Sequence, residues 1–271
     1  MNPAPCLRRM WVALVVAWWA GAALAQQPQV LDLPTRPGIT VRLLVLQPEA
    51  PTAVVVLLTG GNGRLGIFDH GGLRNDGNFL VRSRSLLVQR GLSVVLMDTP
   101  SDRSSPPFLG GKFRESEDHV RDLGAVVAWA RQRFNRPVWL AGTSRGTHSA
   151  THGAIALEGA AAPDGILLSS SILADSRVGT NATPVQRMAV DKLRVPVLVQ
   201  HHENDQCQVC QPAALPQLMS RLSPATSRLV VYQGGRSEGP PCEAQSHHGF
   251  KGIEEQVVAD MADWIAQGPR R

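Results

Sequence analysis

Ala53-Val-Val-Val-Leu-Leu-Thr59 is an unbroken apolar, mostly β-branched run of strand length. It has no polar face to turn to water, so it suits a strand covered on both sides, as in a parallel sheet between helical layers. Two more such runs, Leu92 to Met97 and Pro137 to Ala141, follow helix-like stretches at Asn78 to Arg90 and Glu115 to Arg133. In the second stretch Leu123, Val126, Val127 and Ala130 make one apolar stripe. Ile39 to Leu46 alternates as a strand that ends at Pro48 and Pro51. Gly165 to Leu168, Val195 to Gln200 and Arg228 to Tyr232 read as later strands. Ile253 to Ala266 reads as a closing helix with Val257, Val258, Met261 and Trp264 on its core face.

This alternation predicts an α/β fold: a mostly parallel twisted sheet with helices on both faces. No repeat and no linker divides the 271-residue chain, so one domain, over 39–267 and without a large lid, is expected. Only about 25 residues, a single ordinary connection, separate the strand ending near Leu168 from the one at Val195. A hydrophobic fraction of 43% with 18% charged residues excludes wholesale disorder.

The first 25 residues are set apart from the fold. Arg8 and Arg9 form a basic start, Met10 to Ala20 is apolar, and Ala23-Leu24-Ala25 is a small-x-small cleavage site before Gln26. They read as a signal peptide cut after Ala25, which sends the mature protein to the periplasm or outside the cell and leaves it without a membrane span. Residues 26–38, rich in proline, read as a surface arm. Export takes Arg8 and Arg9 away from a formal charge of +5, and no basic run carries interleaved aromatics. A nucleic-acid partner is therefore not expected.

Ala141-Gly142-Thr143-Ser144-Arg145-Gly146 joins the strand ending at Ala141 to a small-residue stretch, Thr147 to Ala162, that can form a helix. A serine on such a turn is held in a strained backbone with its hydroxyl exposed, and residues two before and two after would collide with neighbouring backbone. Gly142 and Gly146 remove those side chains. Downstream, His201-His-Glu-Asn-Asp205-Gln-Cys207 follows a strand, where open α/β sheets place their ligand crevices. Asp205 is the candidate acid, with Glu203 second. Ser246-His247-His248-Gly249-Phe250 follows the last strand, and His248 is the candidate base, because Gly249 lets the backbone turn into the final helix; His247 is the alternative. A serine nucleophile needs a histidine to take its proton and a carboxylate to fix that histidine's tautomer. Thr59-Gly60-Gly61-Asn62-Gly63 supplies amides for an oxyanion hole, with the N–H of Arg145 joined by that of Gly61 or Asn62. It lacks the Lys-Ser/Thr of a phosphate-binding loop.

With these elements the chain resembles the α/β-hydrolase family, in particular its small lidless members. The resemblance runs from about Ile39 to Trp264 and is carried by Gly142-Thr-Ser144-Arg-Gly146, Asp205-Gln-Cys207 and His248-Gly-Phe250. It implies an esterase-like serine hydrolase with Ser144, Asp205 and His248 in the family's chain order, acting on a small-molecule ester without cofactor or metal. Ser144 separates the chain from members with cysteine at the elbow, such as dienelactone hydrolase. An amidase or peptidase would use the same residues, and a non-catalytic periplasmic binding protein could keep the fold.

Cys207, Cys210 and Cys242 remain after export. A Cys207–Cys242 disulfide would tie the acid's loop to the base's loop, with Cys210 as the other possible partner for Cys242. His201, His202, Cys207 and Cys210 could form a zinc set, although no second pair at ligand spacing supports it. Asp98 reads as structural, and Asp69 and His70 as surface loop. Arg145 is free to contact an acidic substrate group or to pair within the fold. Asn181-Ala-Thr183 matches a glycosylation acceptor, which the bacterial character of the leader leaves without use.

Overall fold

The computed structural model describes residues 27–110, 112–175 and 182–268. The expected leader over 1–25 and Asn181 lie outside the described residues.

Eight strands form one sheet in the order β1-β2-β4-β3-β5-β6-β7-β8. They are β1 (Gln29–Arg36), β2 (Ile39–Leu46), β3 (Ala53–Leu58), β4 (Leu92–Pro100), β5 (Val138–Thr143), β6 (Gly165–Ser169), β7 (Val197–His202) and β8 (Ser227–Tyr232). β1 pairs antiparallel with β2, and β2 with β4, while every other pairing is parallel.

The run at β3 accounts for the layering. Val54, Val56 and Leu58 point to one face of the sheet and Ala53, Val55 and Leu57 to the other, and all six are buried. On the first face lie α3 (Glu117–Phe134), α4 (Gly146–Ala156) and α5 (Leu215–Met219), through Leu123, Val126, Ala150 and Leu218. On the second lie α1 (Phe79–Arg82), α2 (Arg84–Gln89) and α6 (Glu254–Gln267), through Phe79, Leu87, Val258 and Met261. The expected α/β class, with helices on both faces, is the observed one. Among the described residues the β6–β7 connection holds two short 3-10 turns, Val185–Arg187 and Val190–Lys192.

Three expectations change. The stretch expected as a surface arm over 26–38 contains β1, an edge strand. Its Leu31 and Leu33 pack against the core, and Arg36 pairs with the buried Asp122 at 2.9 Å. Its prolines are compatible with that position because an edge strand needs only one side of its ladder. The helix expected over Asn78 to Arg90 is two short ones that meet at Ser83. β7 begins after Pro196, so His201 and His202 belong to the strand and not to the following loop.

Candidate active site

The carboxyl ends of β3, β5, β7 and β8 lead into the loops that carry the candidate residues, at the edge of the sheet where α/β folds place their ligand sites.

Ser144 lies between β5 and α4 with φ of +52°, a left-handed conformation that a non-glycine residue adopts only when its surroundings enforce it. Here the enforcement is visible. Its N–H donates to the Ser169 carbonyl at 3.0 Å, and its own carbonyl accepts from the Thr147 N–H at 3.0 Å and the Thr147 hydroxyl at 2.6 Å. A Cβ on Gly146 would overlap the Leu58 carbonyl, and one on Gly142 would overlap the Gly146 carbonyl. Both glycines therefore have the steric reason expected of them.

Asp205 sits in the turn after β7 and is 3% exposed. One carboxylate oxygen accepts from the Cys207 N–H at 2.9 Å, and the other from His248 Nδ1 at 2.8 Å. His201 Nε2 stands 3.4 Å from that second oxygen. Burial raises the Asp205 pKa, but the hydrogen bonds from His201 and His248 outweigh it and hold the carboxyl at about 2. It is ionised throughout the neutral range.

His248 lies in a 3-10 turn, His247–Gly249, with its N–H on the Ser246 hydroxyl at 3.2 Å. Its carbonyl accepts from the Ser170 hydroxyl at 2.7 Å. With Nδ1 donating to Asp205, Nε2 carries the lone pair, and this atom has no partner among the described residues. Gly249 is needed for a different reason from the one expected. The left-handed positions before the last helix are Phe250, at φ of +56°, and Gly252, at +86°, whereas a Cβ on Gly249 would overlap the Ala244 carbonyl.

The alternatives point elsewhere. His247 stacks on His202 with ring centroids 4.2 Å apart, and Glu203 accepts from the Gln233 amide at 2.8 Å. Asp98 is structural, accepting from the N–H groups of Leu65 and Ile67 at 2.8 and 3.0 Å. Asp69 pairs with Arg42 at the surface, and His70 stacks on Phe68.

Ser144 and His248 line one open cleft of about 550 Å³, together with Gly61 and Asn62. The N–H groups of Arg145, Gly61 and Asn62 have no backbone acceptor among the described residues. The other walls are mixed, with Arg64, Arg74, Asn75 and Glu243 beside Leu65, Phe79 and Ala244.

Cys207 is bonded to Cys242, across 35 residues of chain, and Cys210 is a free, buried thiol. Sγ of Cys210 lies within 4.8 Å of a His248 ring nitrogen and stands beside Ser144. Burial, with Asp205 next, pushes this thiol up, so it stays protonated. The residues weighed for zinc are engaged otherwise: His201 Nε2 meets the Cys210 carbonyl at 2.6 Å, His202 Nε2 the Gly234 carbonyl at 2.8 Å, and Cys207 is in the disulfide. Sequence reasoning missed Ser170, Cys210 as a neighbour of the serine, and the buried Arg114. Ser170 and Arg114 lie in no motif, Cys210 reads in the sequence as a candidate disulfide partner or zinc ligand, and only the folded chain brings them together.

No family model and no curated protein matches the chain. Its architecture does have solved counterparts. A cold-adapted esterase from an Arctic intertidal metagenomic library matches with a TM-score of 0.59 at 16% identity, over 93% of this chain and 99% of the other. An esterase of Pyrococcus furiosus matches with a TM-score of 0.64 at 11% identity, over 94% and 96% of the two chains. A dienelactone hydrolase of Anabaena variabilis matches with a TM-score of 0.60 at 15% identity, over 90% and 100%. The chain has the α/β-hydrolase fold. At these identities the likeness concerns architecture, so what an α/β-hydrolase fold does here must be argued from its own side chains.

Proposed function

We propose that this protein is an exported serine hydrolase that cleaves carboxylic esters through an acyl-enzyme. The observation that carries the reading is the His248–Asp205 hydrogen bond at 2.8 Å, which puts the ring proton on Nδ1 and leaves the buried Nε2 without a hydrogen-bond partner among the described residues, in a residue that lines the same cleft as Ser144.

His248 Nε2 takes the Ser144 proton as Oγ attacks the ester carbonyl. Asp205, ionised, holds the ring and stabilises the imidazolium. The N–H of Arg145 and one from Gly61 or Asn62 receive the oxyanion, and His248 returns the proton to the departing alkoxide. Water then repeats the sequence on the acyl-enzyme. The esterase character of structurally similar proteins agrees with ester over amide substrates. Export is supported by the leader-like start of the chain and by the Cys207–Cys242 bond, which suits an oxidising compartment.

The test is a series of p-nitrophenyl esters of increasing chain length beside an aminopeptidase substrate. Turnover of the esters supports the reading. Turnover of the amide alone would move the same residues to an amidase, and turnover of neither would leave the fold without this chemistry.

A further inference from the structure

Behind the Thr59–Gly63 loop lies a cation that the proposed mechanism does not use. Arg114, in the 3-10 turn Phe113–Glu115, is 2% exposed. One terminal nitrogen donates to the Thr59 carbonyl at 2.9 Å and reaches the Gly61 carbonyl at 3.5 Å. The other donates to the Ser149 hydroxyl at 2.9 Å, on α4 directly after the Ser144 turn. Its Nε has no partner among the described residues, and no carboxylate there pairs with it.

Its neighbours add no negative charge. His119 Nε2 meets the same Ser149 hydroxyl at 2.8 Å, and burial, followed by Arg114 itself, lowers the pKa of both His119 and His148 to about 3. Burial and then Arg145 lower the Arg114 pKa to about 9, which still leaves it charged at neutral pH. A buried charge without a counter-ion is destabilising, and an apolar side chain of similar volume would be tolerated more easily. The arginine therefore calls for a role that an apolar residue would not fill.

We infer that Arg114 is a positioning residue for the oxyanion loop, and that its unneutralised charge faces the negative charge that develops on the substrate oxygen. Because a trans peptide sets its C=O and N–H on opposite sides, drawing the Gly61 carbonyl toward the guanidinium turns the Asn62 N–H away from it, while the bond to the Thr59 carbonyl anchors the start of the loop. The cation gains its electrostatic partner only as the tetrahedral intermediate forms, so its contribution is larger in the transition state than with bound substrate. This inference rests on the esterase reading above.

Wild type, Arg114→Met and Arg114→Lys are compared with p-nitrophenyl acetate and with a trifluoromethyl ketone, whose hemiketal adduct with the Ser144 hydroxyl carries the oxyanion. For Arg114→Met, kcat falls about 100-fold with KM within twofold, and affinity for the ketone falls by a similar factor. Arg114→Lys, which keeps the charge, recovers part of both. A folded Arg114→Met with wild-type kcat, or one that loses kcat without losing ketone affinity, overturns the inference. A wild type that hydrolyses no ester removes the esterase reading first and the inference with it. Should neither arginine variant fold, Ser149→Ala decides. Loss of the hydroxyl that braces the guanidinium lowers kcat several-fold at unchanged KM, and an unchanged kcat overturns the inference.

Discussion

His248 Nδ1 lies 2.8 Å from Asp205 Oδ2, a hydrogen bond that joins the loops after β8 and β7 across 43 residues of chain. Replacing the carboxylate by an amide keeps the shape but removes the ionised acceptor and favours the wrong tautomer. Asp205→Asn is expected to lower kcat by about 10³- to 10⁴-fold with little change in KM. Steady-state kinetics on p-nitrophenyl acetate measures this, and a loss below tenfold would mean that Asp205 does not orient the base.

Two buried neutral histidines give the fold a specific acid sensitivity. His119 and His148 have folded pKa values near 3, well below the ordinary histidine value, because burial disfavours their charged forms. Below about pH 6.5 the unfolded chain binds protons that the folded chain refuses. The stability these residues contribute is complete above that pH and declines as pH falls toward 3, by up to about 1.4 kcal/mol per pH unit for each histidine. Asp205, depressed to about 2, adds a loss in the same direction, confined to the window below about pH 4. Urea midpoints at pH 7.5 and pH 5 test this: the midpoint falls at pH 5, and falls less in His119→Gln. Equal midpoints at the two pH values would contradict it.

The Cys207–Cys242 bond closes a loop across 35 residues. In a chain-entropy account a loop of that size contributes about 3 to 4 kcal/mol. Because Cys242 also lines the cleft, its reduction should lower both the melting temperature and kcat. Cys210, fully buried and protonated, should stay unreactive to a thiol reagent until the chain unfolds. Thermal melts with and without phosphine reductant, beside a thiol count before and after denaturation, give the answer. An unchanged melt after proven reduction would remove the clamp from the account.

Gly146→Ala should yield little folded protein, since its Cβ would occupy the position of the Leu58 carbonyl oxygen and neither backbone can yield. Expression and circular dichroism suffice to see it, and a folded Gly146→Ala would show that the turn is looser than its geometry implies.

Much of this was legible in the sequence because it depends on local order. The β3 run encodes a strand buried on both faces, and Gly142 and Gly146 encode close backbone approach at the serine turn. Asp205 and His248 could be picked because each follows a strand. That Asp205 meets His248, while Glu203 meets Gln233 and His247 stacks on His202, is set by tertiary contacts that no local pattern encodes. The N-terminal edge strand was hidden by its prolines, which mimic a loop. Arg114 could not be found at all, because a buried arginine and an exposed one look alike until the fold surrounds them.

The central claim is that Ser144 is the nucleophile that His248 activates. The most direct measurement treats the purified protein with a fluorophosphonate probe and maps the adduct by peptide mass spectrometry. One covalent adduct is expected on Ser144, formed in wild type and lost in Ser144→Ala and His248→Ala. An adduct on another residue, labelling that persists in Ser144→Ala, or no labelling of an active wild type would contradict it.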